Sequence, residues 1–539
     1  MKISIIFCAL LVLGACNTRD TNTAGGTSVE TQYITRTDTI YLVRNAAITP
    51  ANSYSDLFLD STSLGKFYDA DKTGQDLTRD IKSFYNYRNF QYAWFTSQGF
   101  TEQAKGFWNL QDKLGSKAPK SLRNKMDTLL NNDSLVISRF DTSVLQTEMA
   151  LTRAYIEFYA ANREKTHFAG IPAENAIPIM KMNTMDLADS LSRQPSDTSM
   201  GGGADQYSRL KQKLQYYMQM AKGDSSPAIN IKANQFKKGS SSAAVTVLKK
   251  KLIRSGDLPA GDTSSMYNDS LAMAVQRYQT KNGMVATGKI TDTLIRDMNV
   301  PAKQRLQQLI INLYRAQWMP VNRETNYVAV NIPDFLLTVY ENNQPVFDIP
   351  VAVGKEGTGT TIFTGDMNQV VFSPYWNIPA SIVRNEILPK MKANPKYLES
   401  RNMERMGGPD SLPVIRQKPG KENALGRVKF LFPNRYDIYL HDTNNKEIFN
   451  KSVRAVSHGC IRLQEPEKLA NYILRNDKSW TPEKIHAAME GSKEQYVKVS
   501  PAVPVWITYY TAWVDDSGLM HYRDDIYKHD AETGRMIFL

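Results

Sequence analysis

Cysteine is scarce in this chain of 539 residues: there are three, and two of them lie close to the N-terminus. Cys8 sits in an apolar opening segment, and Cys16 closes Leu13-Gly14-Ala15-Cys16, which reads as a lipid-attachment site. Removal of that leader leaves Cys460 as the single thiol of the folded body, which excludes an internal disulfide there and exposes the thiol to oxidation. Long apolar runs are lacking as well. The longest, Ile3 to Ala15, covers about 13 residues, short of the ~20 that a bilayer-spanning helix needs. With Lys2 ahead of it and small residues before Cys16, this stretch has the form of a lipoprotein signal peptide over residues 1–16. Asn17, where an aspartate would resemble an inner-membrane retention signal, favours the outer membrane.

The net charge is +12, but Lys and Arg are spread along the chain and no arginine-rich arm appears. Nothing marks nucleic acid as the partner. An exported basic chain meets the anionic cell wall and membrane surface instead, and charge alone does not choose between them. The length suggests about three or four domains. Residues 17–56, rich in Thr, Ser, Asn and Asp, read as a flexible tether, with a short strand expected around Tyr33-Ile34 and Ile40 to Val43.

Over 57–232 the pattern is helical. Ile81, Phe84, Tyr85, Arg88 and Tyr92, then Leu145, Met149, Thr152 and Tyr155, recur at three- and four-residue spacing, as an aromatic helical core requires. Ser196 to Asp205, with three successive glycines, reads as a loop. Asp69-Ala70-Asp71-Lys72-Thr73-Gly74 begins like a calcium loop. Its eighth position is Asp76, and Asp80 stands where glutamate should close the site, so a turn is expected instead. Residues 233–299 form a compact unit: Val245, Leu248 and Leu252 mark one helix, Leu271, Val275 and Tyr278 a second, and Leu294 to Met298 a third. A return helix is expected over 300–320.

After Pro320 the period changes to two. Strands are expected at Tyr327–Ile332, Leu336–Tyr340, Val346–Val353, Gln369–Phe372, Val428–Phe432 and Ile438–Leu440, with Asn342-Asn343 as a tight turn. The glycine-rich Gly354 to Gly359 lacks the lysine and hydroxyl pair of a phosphate loop and reads as a loop between strands. A polar, partly helical insertion over 379–425, with its best helix at Ile382 to Met391, has the length and place of a lid. Residues 515–539 are expected to be a C-terminal hairpin and tail, Trp506 to Val514 pairing with Met520 to Tyr527 around Asp516-Ser517-Gly518. The fold class that results is multidomain α+β: a helical scaffold with an inserted three-helix module, then a mostly-β domain over 321–514.

Cys460 lies in Ser457-His458-Gly459-Cys460-Ile461-Arg462, and His441 lies upstream in Tyr439-Leu440-His441-Asp442-Thr443. A thiol becomes a useful nucleophile when a base or positive field favours thiolate, and both histidines are candidates. On an extended segment His458 and Cys460 would share a face; His441 would have to arrive from a neighbouring strand. Gly459 permits a close backbone approach, so the amides of Gly459 and Cys460 can form an oxyanion hole. Zinc would find one Cys and two His but neither a fourth ligand nor carboxylates at metal spacing, so no metal and no cofactor are expected.

His441, the gap after it and Ser457-His458-Gly459-Cys460 resemble the signature of the L,D-transpeptidase (YkuD-type) catalytic domain. Supporting stretches are Ser373 to Pro379, Leu425-Gly426-Arg427-Val428-Lys429-Phe430 and Phe432-Pro433-Asn434. Arg462 in place of the common Asn, and Tyr85, Arg88 and Trp94-Phe95 in a helical scaffold, are similar to the large YcbB-like branch. Val275-Gln276-Arg277-Tyr278-Gln279 and Asn282-Gly283-Met284 resemble the small peptidoglycan-binding domain, whose groove holds glycan or stem peptide. The resemblance implies Cys460 as acyl-accepting nucleophile, His441 as its base and His458 in support. It also implies an oxyanion site at the amides of His458, Gly459 and Cys460, with Arg462, Tyr439, Trp376 and Ser457 toward substrate. The implied reaction is formation of 3→3 peptidoglycan cross-links from a tetrapeptide donor with loss of D-alanine, open to carbapenem acylation of Cys460. The implied partners are peptidoglycan stem peptides and glycan, the membrane through the lipid on Cys16, and cell-wall synthases. An L,D-carboxypeptidase using the same residues, and a wall-binding lipoprotein that keeps the catalytic fold only as scaffold, are the alternatives.

Overall fold

A computed structural model of the chain describes residues 33–36, 39–42, 44–60, 75–115, 118–130, 137, 141–162, 165–168, 171–194, 205–223, 227–320 and 324–539. The leader with Cys16, the acidic 69–74 stretch and the triple-glycine loop lie outside these residues. The chain divides at residue 43 into two units. The first contains an antiparallel hairpin of β1 (Tyr33–Arg36) and β2 (Thr39–Leu42). No described helix is long and apolar enough to cross a membrane.

Within the second unit, helices Gln75–Tyr87, Glu102–Lys113, Lys120–Leu130, Thr142–Asn162, Thr184–Arg193 and Gln206–Lys222 enclose an aromatic core in which Tyr85, Trp94, Phe107, Trp108 and Tyr155 are buried. A two-stranded ribbon, β3 (Phe95–Thr96) and β4 (Gly99–Phe100), leads from the first helix to the second. Glu148 is buried at its root and accepts from the amides of Ala93 (2.7 Å) and Trp94 (3.1 Å) and the Tyr85 hydroxyl (2.9 Å). Burial still pushes its carboxyl up to about 7. The return helix Ala302–Gln317 adds Leu306, Leu309 and Leu313 to the core. Gly106 permits its approach, since a Cβ there would lie 2.6 Å from Cβ of Trp318.

The inserted three-helix module has a separate core. Its helices Ala243–Arg254, Asp269–Lys281 and Asp292–Met298 are capped by the side chains of Ser242, Asn268 and Thr291, each accepting an amide of the first turn.

The β-rich region contains β5 (Tyr327–Asn331), β6 (Leu336–Glu341), β7 (Gln344–Gly354), β8 (Phe363–Phe372), β9 (Trp376–Asn377), β10 (Met403–Gly407), β11 (Val414–Gln417), β12 (Val428–Leu431), β13 (Leu440–His441), β14 (Ala455–Ser457), β15 (Ile461–Leu463) and β16 (Gln495–Thr508). Nine of these form one sheet, in the order β14-β7-β15-β13-β12-β8-β16-β5-β6, and β6 also pairs with β7, so the strand order closes on itself. Asn342 and Asn343, both at positive φ (50° and 60°), make the tight β6–β7 turn that their type favours. One face of the sheet buries Val351, Val370, Phe430, Leu440, Ile461 and Leu463 under helices Pro466–Leu474 and Pro482–Met489. β10 and β11 of the insertion form a separate sheet with β9, which lies just before it. The insertion's helical segment Ala380–Ile382 runs through a π turn (Val383–Ile387) into Leu388–Ala393. Its buried core is small: Val383, Ile387 and Ile415, packed on Ile378.

The C-terminal expectation needs correction. Trp506 belongs to β16 in the main sheet, and the hairpin is shorter, β17 (Ala512–Val514) against β18 (Met520–Tyr522). Residues 529–537 are a helix, not a tail, and Ile537 is buried in the scaffold core with Val514, Met520 and Tyr522. A buried ion-pair cluster fastens it: Arg315 of the return helix meets Glu102 and, at 2.8 Å, Asp530, while Thr511 and Thr533 donate to the two carboxylates.

Candidate functional site

The site is built by alternation on adjacent strands. β13 runs parallel to β15, with Leu440 paired to Ile461 and His441 to Arg462. Leu440 and Ile461 are fully buried in the core, so their neighbours Tyr439, His441 and Arg462 turn to the opposite face. The Ile461 amide donates to the Tyr439 carbonyl at 3.1 Å, which sets Cys460 beside Tyr439 at the mouth of the strand pair. β12, antiparallel to β13, sets Lys429 opposite His441. A row Lys429–His441–Arg462 therefore crosses three strands, next to Cys460.

His441 is buried, at 4% exposure, and its Nδ1 lies 2.5 Å from the Asp442 carbonyl oxygen. A carbonyl only accepts, so Nδ1 carries the proton and Nε2 keeps its lone pair. Burial, reinforced by the charges of Arg462 and Lys429, holds the imidazole down at about 3. Asp442 fixes this backbone: its carboxylate accepts from the amides of Arg427 (2.9 Å) and Thr443 (2.7 Å) and from Lys446 (2.7 Å). Gly426 makes room, since a Cβ there would stand 2.3 Å from the Asp442 side chain. The Cys460 thiol donates to the Asp437 carbonyl at 3.7 Å, and burial pushes its pKa up against the opposing pull of Tyr439. The site thus holds a neutral imidazole on the strand next to the one that Cys460 opens, so His441 is suited to act as a general base rather than as the cation of a preformed ion pair.

Other expected residues fall elsewhere. Gly459 has φ +114°, so the chain bends at 458–460 instead of running extended, and His458 leaves the Cys460 face. Its Nε2 lies 3.0 Å from Glu386 in the π turn of the insertion. The Gly459 amide donates to Ser457 Oγ at 3.2 Å and is therefore committed to its own loop; among the described residues the amides of His458 and Cys460 have no acceptor. Ser457 is buried, and its hydroxyl donates to the Cys460 carbonyl at 2.6 Å, which makes it a brace for the turn rather than a substrate contact. Trp376 lies at the root of the insertion, packed against the Ile378 cluster. Among the described residues Arg462 forms no ion pair, and its buried Nε has no hydrogen-bond partner. Lys429, Asp437 and Glu386 were not singled out from the sequence. Only Lys429 carried a signal, its place in the alternation of β12. Among the described residues no three or more His, Cys, Asp or Glu side chains are grouped to hold a metal ion.

Three segments of the chain match known families. Residues 325–493 match the family described as "L,D-transpeptidase catalytic domain", 79–214 match "Scaffold domain" and 241–298 match "Putative peptidoglycan binding domain". A Haemophilus influenzae protein named "Putative L,D-transpeptidase" is 31% identical over 242 residues, 42% of this chain and 48% of that protein. The chain thus spans about half the length of the curated relative it matches. Among solved structures, an L,D-transpeptidase from Stackebrandtia nassauensis aligns at 13% identity over 52% of this chain and 97% of its own, with a TM-score of 0.21. One from Mycobacterium smegmatis aligns at 13% over 34% and 58%, with a TM-score of 0.19.

Proposed function

We propose that this chain, which carries an L,D-transpeptidase catalytic domain and a peptidoglycan-binding domain, is a peptidoglycan transpeptidase that works through a Cys460 thioester. The observation that carries the reading is the shared face of Tyr439, His441, Cys460 and Arg462 on neighbouring strands, with a neutral base beside the thiol. Cys460 Sγ attacks the carbonyl of the third stem residue as His441 Nε2 takes the thiol proton. The tetrahedral oxyanion is met by the free amides of His458 and Cys460. As the C–N bond breaks, the imidazolium returns the proton to the leaving nitrogen, and D-alanine departs. The side-chain amine of a second stem peptide then displaces the sulfur, giving a 3→3 cross-link, while the insertion keeps water from the thioester. Carbapenems would acylate the same sulfur.

The reading also covers placement: lipid on Cys16 holds the body at the periplasmic face of the outer membrane, reaching peptidoglycan across the tether. The test is incubation of the full chain with disaccharide-tetrapeptides, with products read by mass. Cross-linked dimers are expected, and Cys460→Ala abolishes them. Tripeptide monomers alone would make the chain a carboxypeptidase, and no turnover would remove the reading. Palmitate labelling that survives Cys16→Ser would refute the anchor.

A further inference from the structure

Two cations stand on the reactive face with little to neutralise them. Among the described residues Arg462 has no ion pair, and its buried Nε donates to nothing. Lys429, with a side chain only 14% exposed, forms a long ion pair with Glu494 at 3.8 Å. Glu494 is itself engaged, accepting from the Tyr375 amide at 3.0 Å and the Tyr496 hydroxyl at 2.8 Å. Asp437, whose carboxylate acts on the sulfur, bonds neither cation, and Asp442 is filled by Arg427, Thr443 and Lys446. Lys429 thus has one long ion pair to a shared carboxylate and Arg462 has none among the described residues; buried charge so weakly matched is costly, so a site built this way calls for an anionic ligand.

We infer that Lys429 is a specificity-determining residue that, with Arg462, receives the terminal carboxylate of the donor peptide, the carboxylate on the amino acid that leaves. This rests on the acyl-transfer reading above and adds to it the group by which the donor is chosen. The reach is suitable. The leaving residue's carboxylate lies one residue beyond the scissile carbonyl, about 3.8 Å along the chain. Arg462 lies two residues beyond Cys460, about 6.6 Å along the strand, with Lys429 on the far side of His441. With Cys460 Sγ against the scissile carbonyl, before the C–N bond breaks, the leaving carboxylate therefore falls within reach of the Lys429–His441–Arg462 row.

The arrangement has a second effect. The same two charges weaken His441 as a base, so a carboxylate that neutralises them strengthens the base only when a donor with a free C-terminus is bound. Recognition then appears in kcat as well as in KM.

The test compares disaccharide-tetrapeptide bearing a free C-terminal carboxylate with the same donor as its carboxamide, using the full chain and reading both release of the leaving group and the acyl adduct on Cys460. The wild type should prefer the carboxylate by about ten- to a hundredfold in kcat/KM, as a charged hydrogen bond provides. Lys429→Met should lose most of that preference while still acylating, and Lys429→Arg should keep it. Equal use of the two donors by the wild type, or a preference unchanged in Lys429→Met, overturns the inference alone. A Cys460 inert to both donors removes the transpeptidase reading and this inference with it.

Discussion

The 379–425 insertion and the C-terminal helix are both fastened to the rest of the chain by ion pairs, and the fastenings differ in kind. The helix at 529–537 is held through Arg315, whose side chain is 4% exposed between Glu102 and Asp530, and its Ile537 is wholly inside the scaffold core. The insertion packs three buried apolar residues of its own, Val383, Ile387 and Ile415, on Ile378 and meets the reactive loop through His458 and Glu386, side chains 42% and 43% exposed. Burial makes the first fastening expensive to break, and solvent makes the second easy to exchange. The same interaction type gives permanence in one place and a releasable contact in the other. The easy one lies beside the nucleophile.

Four changes would break or sharpen that contrast. Arg315→Met strands two buried carboxylates and should cost about 3–5 kcal/mol, read as a lower urea midpoint for the scaffold. A variant of wild-type stability would make the two fastenings equivalent. Gly106→Val forces a branched side chain onto Trp318 and should cost about 1–3 kcal/mol by the same measurement, loosening the return helix without touching the sheet. Glu386→Gln should change stability by less than about 1 kcal/mol, yet speed amide exchange over Val383–Ile387. Unchanged exchange there would mean that the apolar cluster alone holds the insertion. The smallest effect is an absence. With His441 held at about 3, acylation should show no inflection near 6.5; its base weakens only as pH falls toward 3. On the alkaline side the rate climbs toward the raised thiol value. An inflection near 6.5 would return His441 to a solvated setting.

The strands were legible where alternation and turn chemistry agreed. Asn342-Asn343 at left-handed φ and the period-two run into β7 are local facts that the sequence carries. The role of His441 toward Cys460 was implied by the resemblance to a known signature and by no spacing rule. What escaped was set by contacts between distant residues. The +114° φ at Gly459 turns His458 toward Glu386, 72 positions away, and no spacing rule relates the two. Ser457 reads as an exposed polar residue of a motif, but its burial and its bond to the Cys460 carbonyl follow from the bend. The helix at 529–537 reads as polar because much of its length is exposed, and only Thr533 and Ile537 show which side is inside.

That helix bears on how the protein is made. A chain emerging N-terminus first exposes its scaffold aromatics some four hundred residues before Ile537 arrives to cover them. Until then the N-terminal half waits incomplete while the β-sheet behind it can already close, so an early stop codon late in the reading frame should harm the oldest part of the molecule most.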